Sequence, residues 1–298
     1  MTTLRPRAMP SGLSTVGLRA ANWLPIVVGT TLAVAYLLAP PMGADLSAQI
    51  AWAEVAERHW PVLLDLRWYG GVNPLGYSVL APPLMALLGV RLATAVGYLA
   101  GVVVVTALLQ RVPVRRPVAG GVVAALGLAG NLASSRTTFV LGLAIALGAL
   151  LAVAYHRRWL AVLLAVLTAL TSPVAALFLM LAGIALALSG HRRTGFWLSA
   201  SAAGPTIIVG LLFGNGGLMP FGPGQAAIAV LASLIVMAAC WDVPPVRWAG
   251  LLSALMVVVA YLLPNPVGSN AARLAECSHR LRWLLSVACP AGQWPRWA

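Results

Sequence analysis

Nine apolar windows follow one another along the chain, at roughly 23–41, 92–110, 117–134, 137–155, 159–172, 173–190, 195–213, 225–240 and 247–264. A membrane-spanning helix needs about 20 mostly apolar residues, because each backbone polar group must find its partner within the segment once water is gone. A chain that repeats this pattern has lipid as its main solvent. The fold class that follows is all-α, a polytopic bundle of about 9–10 membrane helices. Composition agrees: 61% of residues are hydrophobic and 8% charged, against about 25% charged in soluble domains.

Charge sets the expected topology. All 19 basic residues are arginine, which reads as codon bias, and the formal net charge is +13. The arginines stand singly or in short clusters at the ends of apolar runs, so they mark loops rather than a nucleic-acid-binding stripe. RVPVRR at 111–116, HRR at 156–158, HRR at 191–193 and Arg247 alternate with uncharged connections, TSP at 171–173 and GNGGLMPFGPG at 214–224. The positive-inside rule puts the basic connections and the N-terminus in the cytoplasm, giving a multi-pass plasma-membrane protein. Arg5, Arg7 and Arg19 before the run from Trp23 to Pro40 read as a retained signal anchor. The segment 75–89 is the exception. If it crosses fully, every later arginine cluster changes side, so we read it as short, re-entrant or kinked at Pro82 and Pro83; two full passes are the competing scheme.

The first window then delivers an acidic interval to the outer face. Four of the six carboxylates, Asp45, Glu54, Glu57 and Asp65, lie between it and residue 74. In a helix, Asp45, Ala48, Gln49 and Trp52 share one face, which predicts a juxtamembrane helix. Asp45 is either that helix's N-cap or a reactive carboxylate. Glu54, Glu57 and Arg58 read as a solvated face with no chemistry. Asp65 belongs to LLDLRWYGGVNPLGY, where it either pairs with Arg67 in a turn or joins Trp68 and Tyr69 in a sugar-binding set of carboxylate and aromatic rings. Arg136, in NLASSRTTF, either snorkels to the interface or meets an anion such as a phosphate.

Other chemistries lack their residues. The sequence has no GxSxG, HExxH, Walker or GxGxxG pattern in the required context. His59, His156, His191 and His279 have no neighbours at metal-ligand spacing, and neither do Cys240, Cys277 and Cys289. Cys277 and Cys289 are either paired or free thiols. The helices from 92 to 264 nearly lack carboxylates, which disfavours an ion-coupled transporter.

Asp45 beyond the first membrane helix, a long loop ending in DLRWYGGVNPLGYSVLAPPLMALLG, then SRTTFVLGLAIALGALLAVA, LTSPVAALFLMLA and PNPVGSNAARLAE together resemble the GT-C superfamily of polytopic membrane glycosyltransferases. The nearest likeness is to actinobacterial proteins of this type, and it spans about residues 20–276. The resemblance implies transfer of a sugar from a polyprenyl-phosphate donor to an acceptor on the outer face, with inversion at the anomeric carbon. It implies Asp45 as general base, Asp65 as a residue that orients the acceptor or holds a divalent cation, and Arg136 as the partner of the leaving phosphate. Arg67, Trp68 and Tyr69 complete the implied substrate-binding set. No other cofactor is implied. A partner membrane subunit is one way to replace helices that such proteins carry beyond the NPVGSN segment. The expected division is a membrane domain, 1–276, and an atypical tail, 277–298, that reads as out of frame or disordered and predicts a truncated relative, with an active enzyme and one inactivated by truncation both left open. Two readings compete with the transferase: a transporter or flippase for a lipid or hydrophobic solute, and a noncatalytic membrane scaffold.

Overall fold

A computed structural model of the chain describes residues 23–273 except 63, 67–70, 72, 113, 115, 215 and 216. The described residues form twelve α-helices and one short 3-10 turn, with no strands. They are α1 Leu24–Leu38, α2 Leu46–His59, α3 Pro74–Tyr77, α4 Ala81–Leu88, α5 Val90–Arg111, α6 Pro117–Ala133, α7 Thr137–Ala154, α8 Arg158–Thr171, α9 Pro173–Leu188, α10 Arg192–Phe213, α11 Pro223–Ala239 and α12 Pro244–Leu262, followed by the 3-10 turn Gly268–Ala271. Proline opens α1, α3, α4, α6, α9, α11 and α12 in the first two positions. There its missing N–H costs nothing and its fixed φ suits the helix.

Four of these helices, α5, α7, α10 and α12, are long and apolar enough to cross a membrane, and five shorter apolar ones, α1, α6, α8, α9 and α11, run beside them. Together they make a helical membrane bundle that offers lipid a broad apolar surface. Exposed Leu, Ile and Val side chains cover the outside, including Ile207, Ile208, Leu211 and Leu212 of α10. The inside is lined instead by small residues. Ala125, Ala149, Ala165, Ala175 and Ala202 are fully buried, and the backbones of α9 and α10 approach so closely at Gly183 and Gly195 that an added Cβ on either would strike the other helix. Close small-residue packing is how helices associate where no hydrophobic drive is left.

Contacts at the helix ends fix the direction of each element. The Arg91 guanidinium at the start of α5 donates from Nη2 to the carbonyls of Tyr36 and Ala39 at the end of α1. The C-terminus of α1 and the N-terminus of α5 therefore share one end of the bundle, and α2, α3 and α4 lie between them in sequence without a crossing. Eight residues of α4 reach about 12 Å at 1.5 Å per residue, too short to span. The α3–α4 elbow is docked by Val79 and Leu80 N–H on the Leu170 carbonyl, at 2.8 and 3.0 Å, and by the Ser78 hydroxyl on the Thr171 carbonyl at 2.7 Å. From α5 onward the helices alternate. The connections holding Ser134 and Ser135, Thr171 and Ser172, Gly217 to Gly222 and Leu263 to Ala271 join the Asp45 end; Arg116, Arg157, Arg192 and Arg247 lie at the other.

Candidate functional site

Asp45 stands at the N-cap position of α2, φ −94° and ψ −4°, yet its side chain makes no capping hydrogen bond. The capping alternative therefore fails for this carboxylate, although Asp is a common cap. Its Oδ2 faces two guanidinium groups instead, with Arg136 Nε at 3.8 Å and Arg273 Nη2 at 4.0 Å. Both separations exceed hydrogen-bond length. The carboxylate is thus held by charge while its lone pairs stay available, and its side chain is 37% exposed.

Three elements distant in sequence build this arrangement. Gly43, at φ +119°, turns the chain from α1 into α2; a Cβ there would lie 2.6 Å from Ser135 Oγ, so glycine is required. Ser135 Oγ donates to the Met42 carbonyl at 2.6 Å and contacts the Tyr36 hydroxyl at 3.2 Å. The Asp45 N–H donates to the Ser134 carbonyl at 3.3 Å. These bonds staple the entry of α2 to the α6–α7 turn, and Arg136 follows at once as the N-cap of α7. Arg273 arrives from the far end of the chain. Asn265 organises that approach, its amide donating to Ala260 O and its Oδ1 accepting from Val267 and Gly268 N–H at 2.9 and 2.8 Å. Arg273 then lies 5.4 Å from the Phe139 ring centroid, a cation–π contact.

Behind the charges is a buried polar layer. Gln49, one turn after Asp45, is 3% exposed and accepts from the Thr138 hydroxyl at 2.9 Å. The Tyr77 phenol is pushed above its ordinary value of 10.0 by burial, while the Arg273 charge and hydrogen bonds with Gln49 and Thr138 pull it down and the Asp45 charge pushes it up. Trp52 meets Tyr77 edge to face with centroids 3.9 Å apart. The face of α2 expected from sequence, Asp45, Gln49 and Trp52, is the face that carries these contacts.

Of the expected site residues, Asp45 and Arg136 come together. Asp65 is half-buried in the stretch between α2 and α3, while Arg67, Trp68 and Tyr69 lie outside the described residues. Glu54, Glu57 and Arg58 are exposed, as a solvated face requires. Arg273 was not singled out in the sequence. Its one signal is an arginine three residues after the turn-forming NPVGSN that closes the last apolar window. Among the described residues no three His, Cys, Asp or Glu side chains gather as metal ligands, and two guanidinium groups beside Asp45 oppose a cation there.

The fold and site define a polytopic helical membrane protein with a carboxylate and two arginines gathered at one end. Comparison with protein-family models, curated proteins and solved structures gave no match.

Proposed function

We propose that the chain is a membrane glycosyltransferase of the GT-C kind, inverting, which takes a sugar from a polyprenyl-phosphate donor at the Asp45 end of the bundle. The observation that carries the reading is the Asp45 carboxylate, free of any capping bond and set between Arg136 and Arg273. A catalytic base and an anion site are needed within one sugar's reach of each other, at the rim of an apolar bundle where a lipid-linked donor can be presented.

In the proposed step the Asp45 carboxylate takes the proton of the acceptor hydroxyl as its oxygen bonds to the anomeric carbon. The bond from that carbon to the phosphate oxygen breaks, and polyprenyl phosphate departs with the electron pair. Arg136 and Arg273 supply fixed positive charge toward the leaving phosphate, where a guanidinium fork is better suited than an ammonium. Gln49, Thr138 and Tyr77 hold the face of α2 that presents the carboxylate. Asp65 and the Arg67, Trp68 and Tyr69 set are assigned to the acceptor or sugar. The Asp45 end is assigned to the outer face of the plasma membrane and the N-terminus to the cytoplasm, because the arginine-bearing turns gather at the opposite end.

Proteoliposomes containing the full chain and a short-chain polyprenyl-phosphate sugar test the proposal. Release of polyprenyl phosphate with transfer to an acceptor hydroxyl is expected. Movement of the intact donor across the bilayer without bond cleavage would instead favour a flippase.

A further inference from the structure

The end of the bundle opposite Asp45 has its own chemistry. Arg111 and Arg116 flank the α5–α6 connection, Arg157 and Arg158 stand at the start of α8, and Arg192 and Arg193 at the start of α10, all of them exposed. Asp242 is the single carboxylate near them among the described residues.

Helix capping does not account for these arginines. A cation is favoured at a helix C-terminus, where the dipole is negative. Arg111 alone closes a helix. Arg116 and Arg157 are the N-caps of α6 and α8, Arg158 opens α8, and Arg192 and Arg193 open α10. Each of those positions adds a guanidinium to the positive end of a helix, and among the described residues Asp242 is the one carboxylate near enough to offset them.

A belt of rings marks the level at which this charge sits. Trp23, Tyr155, Trp159, Trp197 and Trp241 are 63%, 53%, 86%, 59% and 56% exposed at the same end, and indole and phenol rings settle at lipid headgroups. Two arginines are held against the belt. Arg111 stands 5.3 Å from the Tyr155 centroid, and Arg247 stands 5.0 and 5.7 Å from those of Trp241 and Trp248.

We propose that this end is a binding surface for anionic phospholipid headgroups, centred on Arg111, Tyr155, Arg157 and Arg158, where the end of α5 meets the α7–α8 turn. A phosphodiester supplies the missing negative charge, accepts from the guanidinium fork, and is presented at the depth of the aromatic belt. The proposal stands independently of the transferase reading.

The test is lipid retention by the full chain purified from mixed micelles of phosphatidylglycerol and phosphatidylcholine. Retained phosphatidylglycerol should exceed its bulk share at least about fivefold, the scale of a single interfacial arginine, and the triple variant R111Q/R157Q/R158Q should bring it back close to that share. Arg58→Gln, at the opposite end, should leave it unchanged. Retention of both lipids in bulk proportion, or equal loss in the triple variant and in R58Q, overturns the proposal. If the triple variant does not fold, the wild-type protein decides: enrichment that falls steeply with added salt supports the surface, and salt-independent retention refutes it.

Discussion

Arg273 brings its Nη2 to 4.0 Å from Asp45 Oδ2, joining the segment beyond α12 to the one that follows α1. The same carboxylate oxygen is 3.8 Å from Arg136 Nε, so one negative charge separates two positive ones.

Loss of that negative charge leaves two guanidinium groups facing each other. Asp45→Asn should nevertheless destabilise the fold by no more than about 1 kcal/mol, since partly exposed ion pairs contribute about that much and no capping bond is lost. The measurement is the thermal midpoint in detergent. A large drop would show that the carboxylate is structural.

Arg91 is the structural arginine at this end. It satisfies the Tyr36 and Ala39 carbonyls, which have no partner within α1, and stacks on the Tyr36 ring with its carbon 5.2 Å from the centroid. Arg91→Gln should cost about 2 kcal/mol, the scale of hydrogen bonds from a charged donor, read as a lowered thermal midpoint. Arg91→Lys should recover only part, because an ammonium lacks the fork.

Two glycines at positive φ set the turns that lead to Asp45 and Arg273. Gly43→Ala places a Cβ against Ser135 at a φ of +119°, and Gly268→Ala drives one into Met219 at a φ of +42°. Strain of this kind costs about 1–3 kcal/mol. Each variant should be less stable than wild type by unfolding, whereas Gly89→Ala, also at positive φ but with open space around it, should suffer backbone strain alone.

The raised Tyr77 phenol gives a pH signature. A group whose folded value lies above its unfolded value near 10.0 adds full stability below that pH. It loses that stability as pH rises toward the folded value, because the unfolded chain then releases the proton more readily. Stability measured from pH 8 to 11 should fall at the alkaline end by less in Tyr77→Phe than in wild type. Identical alkaline slopes would contradict the burial of this phenol.

Much of the architecture was legible because lipid imposes a length and a polarity on each pass. The nine windows correspond to α1 and α5 to α12, and the α2 face of Asp45, Gln49 and Trp52 follows from helical spacing alone. The position of 75–89 could be argued only from the arginine alternation; the Arg91 bonds to Tyr36 and Ala39 now place it at the Asp45 end. Arg273 was illegible for a different reason. Its approach depends on Asn265 bonding four backbone groups and on Gly268 packing against Met219, contacts between loops that no periodicity encodes. Whether the Asp45 side chain caps α2 was likewise a matter of side-chain direction.

Glu54 and Glu57 serve as the matched control. Both are exposed on α2, so Glu54→Gln and Glu57→Gln should stay within about 0.5 kcal/mol of wild type in unfolding and retain full transfer activity.

The most direct measurement of the central claim separates donor binding from chemistry in wild type and Asp45→Asn. The account predicts that D45N retains the polyprenyl-phosphate sugar with near-native affinity while transfer falls by about 10²–10⁴, the scale of a lost general base, and that Arg136→Gln and Arg273→Gln weaken donor binding instead. Transfer by D45N at the wild-type rate would contradict it.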